Sequence, residues 1–210
     1  MRDSTLLPLP VGPVQASAYL LTDPAAGEAA LIDPGDEPEI LLEALADSGC
    51  RLRYLLCTHG HFDHIGAGAA VQRTHDLPLL AHPAERPIVA QMPAHQAMFG
   101  FPPTPRPRVE YALADGQALP FGGGALAVRH VPGHSPGHVL FVWEGTAVVG
   151  DLIFAGSVGR TDLPGGDAAA LVRSIRERVY TLPPETELHA GHGPPTTVAT
   201  EMADNPFVRP

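Results

Sequence analysis

RYLLCTHGHFDHIGA, residues 53–67, passes from an apolar strand directly into a dense set of metal-binding side chains. Arg53 to Cys57 reads as a short buried strand, and His59, His61, Asp63 and His64 follow it as H-x-H-x-D-H. Imidazole nitrogen and carboxylate oxygen both bind zinc or iron at about 2.0–2.2 Å. Alternate residues of an extended segment point the same way, so His59 and His61 can grip one ion while Asp63 and His64 face a second. Four ligand-type residues within six positions argue for a centre rather than for a solvated polar loop.

Working outward, three more clusters follow strand-like runs: His134 after LAVRHV, Asp151 after AVVG and His192 after ELHA. Loops at one edge of a layered sheet are where distant segments converge. HVPGHSPGH offers His130, His134 and His138. His134 occupies the Pro-Gly turn and is the candidate ligand, with His130 and His138 as supports from the flanking strands. Asp151 is placed to bridge two ions. The glycines on either side of His192 let the backbone approach closely. His75, His82, His95 and His189 lack this context and read as surface or core residues.

The other elements interleave strands and helices. Ala16–Thr22 and Glu28–Ile32 form an expected hairpin turned by Pro24 and Gly27. A helix starts at Pro38, presents Ile40, Leu41, Ala44 and Leu45 on one face, and stops before Gly49. A second helix is expected over Ile65–Thr74, then a strand at Leu79–Ala81. Residues Pro83 to Arg108 carry seven prolines and read as irregular. Their Met92, Met98, Phe99 and Phe101 are candidates for an apolar wall beside the site, with core packing as the alternative. Strands follow at Ala125–Val131, Val139–Trp143, Thr146–Val149 and Glu187–Ala190. Asp167 caps a helix lined by Leu171, Val172, Ile175 and Val179.

Composition limits the function classes. The chain has 210 residues, 44% hydrophobic and 17% charged, which suits one domain with a real core. A formal net charge of −10 disfavours nucleic acid as a partner. All 13 basic residues are arginine, so no lysine nucleophile or Schiff base exists. No stretch is long and apolar enough for a membrane span, and the proline-rich start is unlike a signal peptide. Cys50 and Cys57 do not form a disulfide framework, so a reduced cytoplasmic setting is the default. Cys57, two residues from His59, reads as buried rather than nucleophilic.

THGHFDHIGA, HVPGHSPGH, GDLIFAGSVGRTDLPGGD, AGHGPPTT and the closing NPF together resemble the metallo-β-lactamase superfamily, and within it the short glyoxalase II-like thioesterases. The resemblance covers nearly the whole chain. It implies a four-layer αββα sandwich, two mixed sheets flanked by helices, in one domain over residues 1–210. It also implies two divalent ions, zinc first with iron or manganese as alternatives. His59, His61 and His134 would hold one ion and Asp63, His64 and His192 the other, with Asp151 shared. Asp63 and Asp151 are the catalytic candidates, for hydrolysis of a small acyl thioester by a metal-bridging hydroxide. Asp151 stands where familiar β-lactamases carry a cysteine and argues against β-lactam hydrolysis. Asp33 matches a family aspartate expected to support the site rather than ligate.

Full-length glyoxalase II enzymes add a C-terminal helical domain that binds glutathione, and this sequence is expected to lack it. That leaves the thiol carrier open. Gln96, Met98, Phe99, Gly100 and Phe101 match a QxMFGF segment of the short relatives, making Met98 and Phe99 candidate substrate contacts. Arg160 replaces a family lysine and either contacts substrate or forms a structural ion pair. Persulfide dioxygenases share H-x-H-x-D-H and the GRTD segment, and would use one iron on His59, His134 and Asp151. A non-catalytic metal protein is the third reading. Metal choice, acyl group and homo-oligomer formation stay open.

Overall fold

Two prolines hide the first strand from a reading by alternation. In the computed structural model, which describes residues 4–210, β1 (Thr5–Val11) is the edge of a six-stranded sheet and pairs only with β2 (Ala16–Asp23). Pro8 and Pro10 lie two residues apart, so both missing N–H groups fall on one side of the strand. An edge strand has one side that needs no donor. β3 (Glu28–Ile32) completes the expected hairpin. α1 (Pro38–Asp47) then crosses to β4 (Arg51–Leu56), with Pro38 in its first turn and Gly49 at φ 65° just past its end. β5 (Leu79–Leu80) and β6 (Val109–Glu110) extend the sheet in parallel.

The second sheet contains β7 (Ala118–Phe121), β8 (Gly124–His130), β9 (Val139–Trp143) and β10 (Thr146–Gly150). A short ribbon, β11 (Ile153–Phe154) and β12 (Ser157–Val158), follows. β13 (Glu187–Ala190) and β14 (Thr196–Thr197) complete the order β14-β13-β10-β9-β8-β7. β13 runs parallel to β10, and β8 to β10 are joined antiparallel, so β8, β10 and β13 all end at one edge. In the first sheet β3 and β4 run parallel and also end together.

Side chains alternate between two cores. Tyr19, Leu21, Ile32 and Leu56 of the first sheet meet Leu126, Val128, Phe141 and Val148 of the second. On the first sheet's outer face, Ala18, Leu20 and Leu31 pack with Leu41 and Leu45 of α1. On the second sheet's outer face, Leu140, Ala147, Val149 and Leu188 pack beneath Leu171, Ile175 and Val179. The result is the expected order of helix, sheet, sheet, helix.

The helices depart from the sequence reading in four places. The helix expected over Ile65–Thr74 is two: α2 (Phe62–Ile65) and α3 (Gly68–His75). They break at Gly66, where a Cβ would meet the Gly35 and Phe62 carbonyl oxygens at 2.5 and 2.7 Å. Much of Pro83–Arg108 is ordered: a 3-10 turn at Pro83–Glu85, α4 (Arg86–Ala90) and α5 (Met92–Met98). Pro83, Pro87 and Pro93 each sit in a first turn, where the missing N–H costs nothing. α6 (Ala168–Ser174), capped by Asp167, widens into a π turn over Ile175–Val179 closed by Tyr180 N–H donating to Ile175 O at 2.9 Å. Val172 is only half-buried, and a last helix, α7 (Val198–Asp204), lay outside the sequence reading.

Candidate metal centre

The strands that end together deliver the donors. β4 leads into His59 and His61, α2 carries Asp63 and His64, and the segments after β8, β10 and β13 bring His134, Asp151 and His192. All seven sequence candidates converge. The imidazoles of His59, His61 and His134 form a triangle, each pair of ring centroids 4.7 Å apart and the planes 86–89° to one another. His61 Nδ1 and His134 Nε2 are 2.9 Å apart. A second group holds Asp63, His64 and His192, with Asp63 Oδ2 at 3.7 Å from His64 Nε2 and 3.4 Å from His192 Nε2. Asp151 lies between the groups: Oδ1 is 3.5 Å from His64 Nε2, and Oδ2 is 3.8 and 3.7 Å from His134 and His192 Nε2.

These donors fit ions better than they fit one another. Separations of 3.4–3.8 Å are too long for hydrogen bonds. Two ligands at about 2.1 Å from one tetrahedral ion would stand roughly 3.4 Å apart. His59 Nε2, His64 Nε2 and Asp151 Oδ1 are buried with no hydrogen-bond partner among the described residues.

The outward nitrogens explain the ring orientations. Asp33 accepts from Thr58 N and Oγ1 at 2.6 and 2.8 Å and from His64 Nδ1 at 3.0 Å, a position that suits the supporting part implied by the family resemblance. Thr58 spends its only hydroxyl proton on Asp33, so it must accept from His59 Nδ1 at 3.0 Å, leaving the His59 Nε2 lone pair turned inward. His134 Nδ1 donates to Arg160 O at 2.8 Å, and His192 Nδ1 to Val14 O at 3.2 Å. His138 donates through Nε2 to Val149 O and packs its ring on His59. His130 bonds Pro136 O and stacks on His82, away from the donor set, so of the two flanking histidines only His138 packs against it. Gly191 lets the last loop close: a Cβ there would lie 2.1 Å from Asp151 Oδ1.

Glu85 was not legible as part of this region. It is fully buried and accepts from Gly60 N, Gly137 N and Ser135 Oγ at 2.6–2.7 Å, tying the His59–His64 loop to the His134–His138 loop. Its partners are backbone groups and one serine, which leave no mark in a sequence.

Charge divides the histidines. Burial, reinforced by neighbouring imidazoles, holds His59, His61 and His138 well below the ordinary histidine value, and burial also lowers His134. Burial opposes charge on His64 too, but Asp151, Asp63 and Asp33 push it up to about 10. The carboxylate of Asp63, 3.4 Å away, raises His192. Asp63 is held below the carboxylate range: burial opposes this, but His64, His192 and His61 outweigh it.

These directions fix the pH dependence of the metal-free protein. The four lowered groups contribute stability that is complete above about pH 6.5 and is lost as pH falls toward their folded values. His64 contributes with the opposite sign, complete below about 6.5 and lost as pH rises toward 10. Urea unfolding of metal-free protein should therefore show stability falling from pH 7 to pH 5, by about 1.4 kcal/mol per pH unit for each extra proton the unfolded chain binds. A flat or rising profile would contradict the burial of neutral imidazoles.

A cavity of about 440 Å³ opens onto His61, Asp63, His134, Asp151 and His192. Its walls include Phe62, Phe99, Phe101, Phe154 and Leu163, with Arg160 also lining it. The apolar wall expected from Pro83–Arg108 is thus built by Phe99 and Phe101, whose rings lie 5.9 and 5.0 Å from Phe62. The two methionines do not join it. Met92 is buried in the core behind the first sheet, and Met98, proposed as a substrate contact, is 65% exposed. Six residues separate them, so the helical repeat turns Met98 to the far side of α5. Both readings of Arg160 have a basis, since it lines the cavity and forms a two-pronged ion pair with Asp162 at 2.7 and 2.8 Å. His95, read as surface or core, is buried and forms part of the cavity lining.

Known proteins resemble this chain in sequence and fold. A hydroxyacylglutathione hydrolase, GloC, of Haemophilus influenzae is 33% identical over 209 residues, covering 95% of this chain and 96% of its own. The crystal structure of TTHA1623 in a di-iron-bound form superposes with a TM-score of 0.87 at 42% identity, over 96% of this chain and 100% of that one. That of BLEG-1, described as a B3 metallo-beta-lactamase, gives 0.88 at 38% identity, over 97% and 99%. Residues 11–192, which span every donor named above, match the profile of the metallo-beta-lactamase superfamily, and this chain belongs to that superfamily.

Proposed function

We propose that this chain is a dinuclear metal-dependent hydrolase of small acyl thioesters, of the hydroxyacylglutathione hydrolase kind. The observation that carries the reading is an apolar cavity opening directly onto two adjoining donor groups joined by Asp151. Divalent ions, zinc first, held there by His59, His61, His134, Asp63, His64, His192 and Asp151 would supply a water-derived nucleophile at neutral pH and polarise a carbonyl. The acyl group would lie against Phe99, Phe101 and Phe154, which exclude bulk water from the reacting carbon. Asp63, facing the same opening, would accept a hydrogen bond from the attacking water and fix its direction. Because the outward nitrogens of four donor histidines are already bonded, those rings need little rearrangement on reaction.

The partner in this reading is a small thioester, with nucleic acid disfavoured by the net charge of −10. No helix among the described residues is long and apolar enough to cross a membrane. Zinc-loaded protein is expected to hydrolyse S-lactoylglutathione without oxygen, and a high KM would reflect only the thiol carrier. Oxygen uptake with glutathione persulfide by the iron-loaded form, in the absence of thioester turnover, would hand the site to the dioxygenase reading. The 38% identity to BLEG-1 makes a β-lactam the third substrate of the same assay, and turnover of it alone would overturn the expectation drawn from Asp151.

A further inference from the structure

One donor histidine lacks what the other four have. His59, His64, His134 and His192 each bond an oxygen through Nδ1. His61 is turned the other way, with Nδ1 toward His134 Nε2, and its Nε2 is buried without a hydrogen-bond partner among the described residues. A neutral imidazole that offers Nδ1 to an ion carries its proton on Nε2, so this buried N–H calls for an acceptor.

The ring of His95 stands beside it, centroids 5.8 Å apart and planes at 63°. His95 is 3% exposed, and its own Nε2 is likewise buried and unpartnered. It rides on α5, which is anchored by buried Met92 and by the paired hydrogen bonds of Gln96 with Thr104 at 2.9 and 3.3 Å. Two unpartnered nitrogens on adjoining rings, one requiring an acceptor and one able to be it, complete each other. We infer that His95 is the positioning residue of His61: its Nε2 lone pair accepts the His61 Nε2–H through one bridging water, and fixes which nitrogen faces the first ion. His95 then carries its own proton on Nδ1. The inference rests on the metal reading of the site and is independent of the substrate.

The test reads metal affinity rather than turnover. Full-length protein is stripped and titrated with Co²⁺ against a competing chelator, comparing wild type with His95→Leu and His95→Gln. His95→Leu is expected to weaken one of the two ions by roughly 10- to 100-fold and to leave the other as in wild type. His95→Gln, whose amide oxygen can accept, should restore most of the loss. Equal affinities in all three proteins, or losses the same for leucine and glutamine, would reduce His95 to packing. Nitrogen-15 spectra of zinc-loaded wild type give a second reading that needs no variant. A His61 Nε2 proton protected from solvent exchange is expected, and a freely exchanging one would overturn the assignment. Failure of thioester hydrolysis alone would leave these readings standing, whereas failure of wild type to bind Co²⁺ would remove both proposals together.

Discussion

Asp151→Ala is expected to lower kcat/KM for the thioester by on the order of 10³-fold, corresponding to about 4 kcal/mol of lost transition-state stabilisation. The effect is large because Asp151 serves both donor groups. Its Oδ1 faces His64, its Oδ2 faces His134 and His192, and no other side chain among the seven spans the two groups in this way. Removing it leaves each ion short of a ligand and takes away a negative charge that offsets their mutual repulsion. The loss should fall on kcat more than on KM, since the apolar wall proposed to receive the acyl group is untouched. Asp151→Asn would separate charge from shape, since the amide keeps one oxygen but not the charge. Retention of wild-type turnover and two ions by Asp151→Ala would contradict the shared role.

Asp63→Ala is expected to cost one ion and spare the other. Asp63 approaches His64 and His192, while the His59, His61 and His134 triangle closes without it. Metal analysis at saturating zinc should return about one ion per chain in place of two, with activity down by on the order of 10²-fold or more. The same substitution removes the carboxylate that raises His192, so the His192 pKa should fall in the metal-free variant. Proton NMR of the imidazole checks this independently of metal. Two tightly held ions in Asp63→Ala, or one ion in wild type, would refute the division of donors.

The sequence by itself was enough to pick the seven residues that the fold brings together, and to expect helices over the outer sheet faces. H-x-H-x-D-H after RYLLC, and single candidates after three later strands, are local signals: an apolar run of strand length, then ligand-type residues in a glycine-rich turn. The helix over Pro38–Asp47 was legible from its start and stop residues.

Only the tertiary structure decided the rest, for a common physical reason. Glu85 earns its place through backbone N–H groups of two distant loops, and a backbone donor has no residue type by which to be recognised. Edge position, not composition, makes the prolines of β1 tolerable, and whether a strand lies at an edge depends on what else pairs with it. Phe101, past the end of α5, faces the site while Met98, on the outer side of α5, faces solvent, although both belong to one apolar segment. His95 and His75 look alike in the sequence, and only folding places one of them against His61 and leaves the other at the end of α3. Short-range patterns record which faces of an element are apolar, whereas the meeting of polar atoms from remote segments depends on how those elements are packed.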